Sequence, residues 1–322
     1  MKGALAKVRM LALSGDLQAA VSELSRVNTN TLTPAERRER QRYIDRFVER
    51  KQTVTSNLLV DRAVSTYESY WTRVLFAETD PVTAEAQLCW HIVHLLRQFN
   101  RPIANLSSEA VLYELSDALL ERGLYSSAGE TEILKDLLVW KTQKDIAYKV
   151  ALPTENRTVV VRVVDDFLCL GWAAFATCDV SYPKAWWSKD VLYCVAKAYD
   201  TRTEEFKVEL LTHEAQHASD RVAFPKLGAA EIEYRAKLVE LINVSDPHRT
   251  IVRFSAETTP TRIDPEGFAN HCLVRDFVLA AGWPHAPNDD LQEAALEMLQ
   301  ISTARLASLG AETVTEDPWM VG

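Results

Sequence analysis

The sequence predicts an α+β fold that is mainly helical, with a helical N-terminal region over residues 1–150 and a second domain over 151–322 that contains a small sheet. Three observations predict it. Apolar residues recur at helical spacing through the first 140 residues, with Pro and Gly confined to a few breaks. A cluster of β-branched residues (Thr158, Val159, Val160, Val161, Val163 and Val164) then marks a change of character near residue 150. Helical spacing returns after residue 200 and lasts almost to the end of the chain.

Composition bounds the class of protein. The 322 residues are 47% hydrophobic and 25% charged, with eight Trp, which suits a soluble globule with a sizeable core. A net charge of −9 argues against a nucleic-acid or anionic-membrane surface. No apolar run has the length of a transmembrane helix. Lys2, Lys7 and Arg9 precede only a short apolar stretch, interrupted by Asp16, so the N-terminus reads as an amphipathic helix and not as a signal peptide. The five cysteines, Cys89, Cys169, Cys178, Cys194 and Cys272, form no Cys-x-x-Cys pair and read as reduced core residues of a cytoplasmic protein.

The elements follow in order. Residues 1–50 read as helices, the first two forming a hairpin with Gly15 at the turn and Ala19 and Ala20 packing after it. This hairpin resembles part of a tetratricopeptide-type unit, although no second copy follows at a fixed period. Pro34, after Thr33, takes the first position of another helix, whose charges over 36–51 are its solvated face. Helical spacing over 57–140 is broken at Asp80-Pro81, at Arg101-Pro102 and around Gly123. His91 and His94 share one of these helices, but with no carboxylate of evident role nearby they read as core or surface histidines. Strands are expected at 158–164, 169–178 and 186–199. After an irregular stretch with Pro247, Pro260 and Pro265, helices are expected at 266–281 and 291–309.

One stretch carries chemistry: His213-Glu214-Ala215-Gln216-His217. On a helix, positions i and i+4 share a face, so the two imidazoles can aim at one point. Glu214 lies about 100° round the helix, beside that point. Metal chemistry needs this division: two neutral nitrogen ligands, and a carboxylate free to take a proton from a metal-bound water. Phe206, Val208, Leu210 and Leu211 lead into the motif without Pro or Gly, Thr201 and Glu204 have capping-box spacing for the helix start, and Pro225 and Gly228 stop it. A second helix, with Glu231, Glu233, Tyr234, Arg235, Ala236 and Lys237, follows a turn and can return a carboxylate to the imidazoles.

Here the sequence resembles the gluzincins, a family of zinc metallopeptidases that pair His-Glu-x-x-His with a downstream helix carrying Glu-x-x-x-Asp or Glu-x-x-Ala-Asp. Glu233 to Ala236 match the second form, and Lys237 stands where the family has Asp. The resemblance covers residues 200–245. It implies a zincin-like C-terminal domain, Zn2+ held by His213, His217 and Glu233 with water in the fourth position, and Glu214 as general base. Glu231 is the rival third ligand. It also implies an edge strand at 190–198 that binds substrate backbone, and a downstream His or Tyr that donates to the oxyanion, for which His271 and then Tyr234 are the candidates. The family's Asp would hold a ligand imidazole by its outer N–H, so its loss at Lys237 leaves that duty to another carboxylate; Asp220 is the first choice and Glu209 the second. The expected function is zinc-dependent hydrolysis of a peptide or protein substrate. The alternatives are a zinc-binding pseudoenzyme, and an adaptor that meets a protein partner through its N-terminal helices.

Overall fold

The computed structural model describes residues 4–49, 58–101, 103, 107–131, 133–188, 190–309 and 315. The fold is α+β, mainly helical with one small sheet. Helices α1 (Ala6–Leu13), α2 (Leu17–Arg26), α3 (Pro34–Tyr43), α4 (Leu58–Leu75), α5 (Pro81–Gln98) and α6 (Ser108–Leu120) come first. Strands β1 (Tyr125–Glu130), β2 (Lys135–Ala151) and β3 (Asn156–Leu170) follow, then α7 (Gly171–Ala176), β4 (Ala185–Ser188) and β5 (Val191–Val195). Helices α8 (His213–Ala223), α9 (Ala229–Asn243), α10 (Pro247–Ser255), α11 (Pro265–Ala280) and α12 (Asn288–Leu309) complete the chain. No helix among the described residues is long and apolar enough to cross a membrane.

Packing divides the chain into two units, residues 1–144 with 164–186 and residues 145–163 with 187–322. The boundary expected at residue 150 falls inside β2, because the β2–β3 hairpin contributes to both units. The strand order is β1-β2-β3-β5-β4, so β5 is interior and β4 is an edge. This corrects the edge strand expected at 190–198: β5 lies between β3 and β4, and β4 is the edge at that end of the sheet.

The first unit starts with the expected hairpin, α1 and α2 turning at Gly15, whose φ is +85°. Its core gathers aromatic rings around Phe175, which meets Phe47 edge-on at 5.3 Å and Trp71 at 5.5 Å. Two expectations fail in this unit. Residues 125–140, read as helical, form β1 and the start of β2. Residues 169–178, read as a strand, are the end of β3 and the short α7. Both are short apolar runs, Leu137 to Trp140 and Trp172 to Ala176, in which periodicity does not distinguish strand from helix.

Gly171 makes the turn from β3 into α7. Its φ is +86°, and a Cβ there would lie 2.7 Å from Oδ2 of the buried Asp136. That carboxylate accepts from the N–H groups of Trp172 (2.8 Å) and Leu137 (2.9 Å). Burial raises the Asp136 pKa, and these two bonds oppose the rise. Gly171→Ala therefore combines a left-handed backbone, costing about 1–3 kcal/mol, with overpacking against a group that is itself bonded in place. Gly123→Ala is the control: φ is +72°, but nothing lies within 4 Å of the added Cβ. Urea denaturation should show Gly171→Ala to be the more destabilised variant. Equal midpoints would show that Asp136 yields at no cost.

Asp-Pro pairs mark three of the helix starts. Asp80-Pro81, Asp246-Pro247 and Asp264-Pro265 each open a helix, with Pro at the first or second helical position. Each Asp side chain accepts from a backbone N–H in the first turn, at Thr83 (2.9 Å), Arg249 (3.0 Å) and Gly267 (3.0 Å). The stretch around Pro247, expected to be irregular, is thus the capped helix α10.

In the second unit α9 packs against α8, α10, α11 and α12. It is buried almost all round: Glu231, Tyr234, Arg235, Lys237 and Glu240 are each no more than 3% exposed. Charges that would ordinarily form a helix's solvated face are turned inward here, and each has a partner of opposite sign or a polar group within reach.

Candidate metal centre

The helix carrying the motif does not begin as an α-helix. Residues Glu205–Thr212 wind as a π-helix, with Thr212 Oγ1 donating to the carbonyl of Lys207 at 2.8 Å, and α-winding takes over at His213. π-winding is rare and concentrates at functional sites. The start also differs from the expected Thr201–Glu204 capping box. Thr203 accepts from the Phe206 N–H at 3.3 Å, while Glu204 reaches away to the Ser245 N–H at 3.1 Å.

On α8, His213 and His217 are both buried, at 9% and 5% exposure, with ring centroids 4.4 Å apart. Glu233 on α9 faces the Nε2 atoms of both: Oε2 is 3.3 Å from His213 Nε2 and Oε1 is 3.5 Å from His217 Nε2. His213 Nδ1 bonds Glu240 Oε1 at 2.6 Å. A carboxylate only accepts, so in the neutral ring Nδ1 carries the proton and Nε2 keeps its lone pair towards Glu233. His217 Nε2 is buried and hydrogen-bonds nothing among the described residues. An orphaned, inward-facing imidazole nitrogen beside a second imidazole and a carboxylate is the donor set a metal ion takes.

Glu214 stands on the other side of His217, with Oε2 3.3 Å from Nδ1 and hydrogen-bonded by the indole N–H of Trp187 on β4. His213, Glu214 and His217 offer ligand atoms that all lie within 4.8 Å of one another, so this buried group could hold a metal. Besides Glu240, two carboxylates thus flank the imidazole pair, Glu233 and Glu214. Of the two, Glu233 alone addresses both Nε2 atoms.

The other predicted residues lie elsewhere. Glu231, the rival ligand, accepts from Arg262 at 2.7 Å and from Thr315 Oγ1 at 2.9 Å. Asp220 does not touch a ligand imidazole; it takes two bonds of 2.9 Å from Arg235 and one of 2.9 Å from Gln216. Glu209 pairs with Arg253 at 3.1 Å. The partner of His213 is Glu240, a residue the sequence reading missed. Its signal was present: seven residues after Glu233, it lies two helical turns along the same face. Arg253 bonds its second oxygen at 2.8 Å and so joins Glu240 to Glu209.

The candidate oxyanion donors are not at the imidazoles. His271 is exposed on α11, with its ring beside Phe268. Tyr234 is fully buried and donates to Asp276 at 2.8 Å, since its place one residue after Glu233 turns it towards α11. Lys237 extends to Glu266 at 3.1 Å and over the Phe254 ring at 4.6 Å.

The electrostatics match a site built for a cation. Burial disfavours charge on Glu233, yet its bond to His213 and the charges of His217, His213 and Lys237 prevail and hold its pKa down at about 2. Burial likewise opposes ionisation of Glu240 and Glu214, and in each case a bonded histidine, His213 and His217 respectively, leads the groups that lower the pKa. Burial would make His213 less basic, but Glu233 and Glu240 push its pKa up to about 10. Buried carboxylates around two imidazoles call for positive charge, and a proton or a divalent cation can supply it.

No family model, curated protein or solved structure matches the chain.

Proposed function

We propose that the chain is a zinc-dependent peptide-bond hydrolase with a zincin-like second domain, its metal held by His213, His217 and Glu233. The observation that carries this reading is the Glu233 carboxylate set before the Nε2 atoms of both histidines, one of which is buried without a hydrogen bond. Two nitrogens and one oxygen on two helices suit a catalytic zinc ion, which keeps one position open. Zinc bound there would act as a Lewis acid and lower the pKa of its water to about 7.

The chain's own residues divide the remaining work. Glu240 fixes the tautomer and orientation of His213, the outer role that ligand histidines require. Glu214 accepts the proton of the attacking water and passes it to the leaving amine. The edge strand β4, which carries Trp187, is the strand that would pair with an extended peptide backbone.

Elemental analysis of protein purified without chelator should find one zinc per chain. Glu233→Ala should weaken zinc binding by at least the ~10–100-fold typical of losing even an outer partner, whereas Glu231→Ala should leave it near the parental value. The same protein should cleave members of a peptide library, and a chelator should stop it. Absence of zinc uptake, or a larger effect from Glu231→Ala, would overturn the ligand assignment; zinc binding without cleavage would overturn the hydrolase.

A further inference from the structure

Glu214 lies close enough to the imidazole pair to serve as a ligand instead of a base. In a tetrahedral site with metal–ligand bonds of about 2.0–2.2 Å, ligand atoms lie roughly 3.3–3.6 Å apart. The donor atoms of His213, Glu214 and His217 already lie within 4.8 Å of one another. Glu214 contacts His217 at Nδ1, and a carboxylate turned from there to the Nε2 side would take the open position. There it would displace the water whose proton it has to take. Within helix α8 the His217 Nδ1 lies 3.3 Å from Glu214. The remaining restraint comes from a different element: Trp187 on β4, whose indole N–H donates to Glu214 Oε2.

We propose that Trp187 is a positioning residue that keeps Glu214 a proton acceptor and prevents it from becoming a fourth metal ligand. An indole has a single N–H and no acceptor, so it satisfies the carboxylate without competing for its proton. The ring is half-buried on a strand, which fixes the direction of the bond better than a long flexible side chain would. A charge-assisted bond to one oxygen costs the carboxylate its freedom to turn. The inference rests on the metal site proposed above, and not on the identity of the reaction.

The test uses Co2+, whose visible bands report coordination number and geometry, on the full chain. Trp187→Phe keeps a ring and removes the N–H. It is expected to bind Co2+ about tenfold more tightly than the parent and with a changed visible spectrum, as carboxylate replaces water. In a Glu214→Gln background the same substitution should change neither, which a double-mutant cycle reads directly. Glu214→Gln alone should bind Co2+ like the parent, and this arm stands even if Trp187→Phe does not fold. An unchanged spectrum and affinity in Trp187→Phe, weaker binding in it, or lost affinity in Glu214→Gln would each overturn the proposal. Failure to cleave peptides would count only against the hydrolase, whereas failure of the parent to bind metal would overturn both.

Discussion

Glu214→Gln is expected to fold and to hold zinc like the parent, yet to lose peptide hydrolysis by the ~10²–10⁴-fold that general-base catalysis supplies. The substitution keeps the shape of the side chain and an oxygen that can still accept from Trp187, so the contacts around the site survive. It removes only the capacity to take a proton. Burial works against a charged Glu214, but His217 leads the groups that hold its pKa below the usual carboxylate value. Zinc content, circular dichroism and single-turnover cleavage of one peptide substrate would be measured side by side. Parental cleavage by the variant would refute Glu214 as the base; lost zinc would make it a ligand.

The largest effect on stability is expected at Asp220. Its carboxylate receives two bonds of 2.9 Å from Arg235, and the two side chains are 1% and 2% exposed. This pair ties α8 to α9, the two helices that carry every proposed ligand. Asp220→Ala leaves a buried guanidinium with Ser302 and Thr303 as its neutral partners, at 2.6 and 3.2 Å. Breaking a buried pair from one side typically costs about 3–5 kcal/mol, because the other charge is stranded. Replacing both partners with apolar residues strands nothing, so Asp220→Ala combined with Arg235→Met should recover much of the loss. Denaturant titration gives both values. A single-variant loss under about 1 kcal/mol would mean that water reaches Arg235 and that the pair does not hold the helices together.

What the sequence made legible was local. The His-Glu-x-x-His spacing, the Pro and Gly boundaries of α8 and the Gly15 hairpin each depend on residues within a turn or two of one another. Glu233 was legible in another way, through the gluzincin-like pattern that links it to the motif on the preceding helix, and it stands before both imidazoles. Glu240 shared its helical face but was passed over, because a charge on a helix is usually solvated and nothing local marks it as buried.

The sequence by itself determined the α+β class, the motif helix and the two histidines, since periodicity and i, i+4 spacing are properties of a single element. Tertiary structure decided which of several carboxylates meet those histidines. Glu233 and Glu240 do; Glu231, Asp220 and Glu209 are drawn off by Arg262, Arg235 and Arg253. It also decided that β4 and not β5 ends the sheet, and that Trp187 reaches Glu214 across the 27 positions between them in the chain. The physical reason is common to all of these. A buried charge goes to whichever opposite charge or donor the packing of other elements brings within about 3 Å, and that neighbour is set by how helices and strands pack, not by their order along the chain.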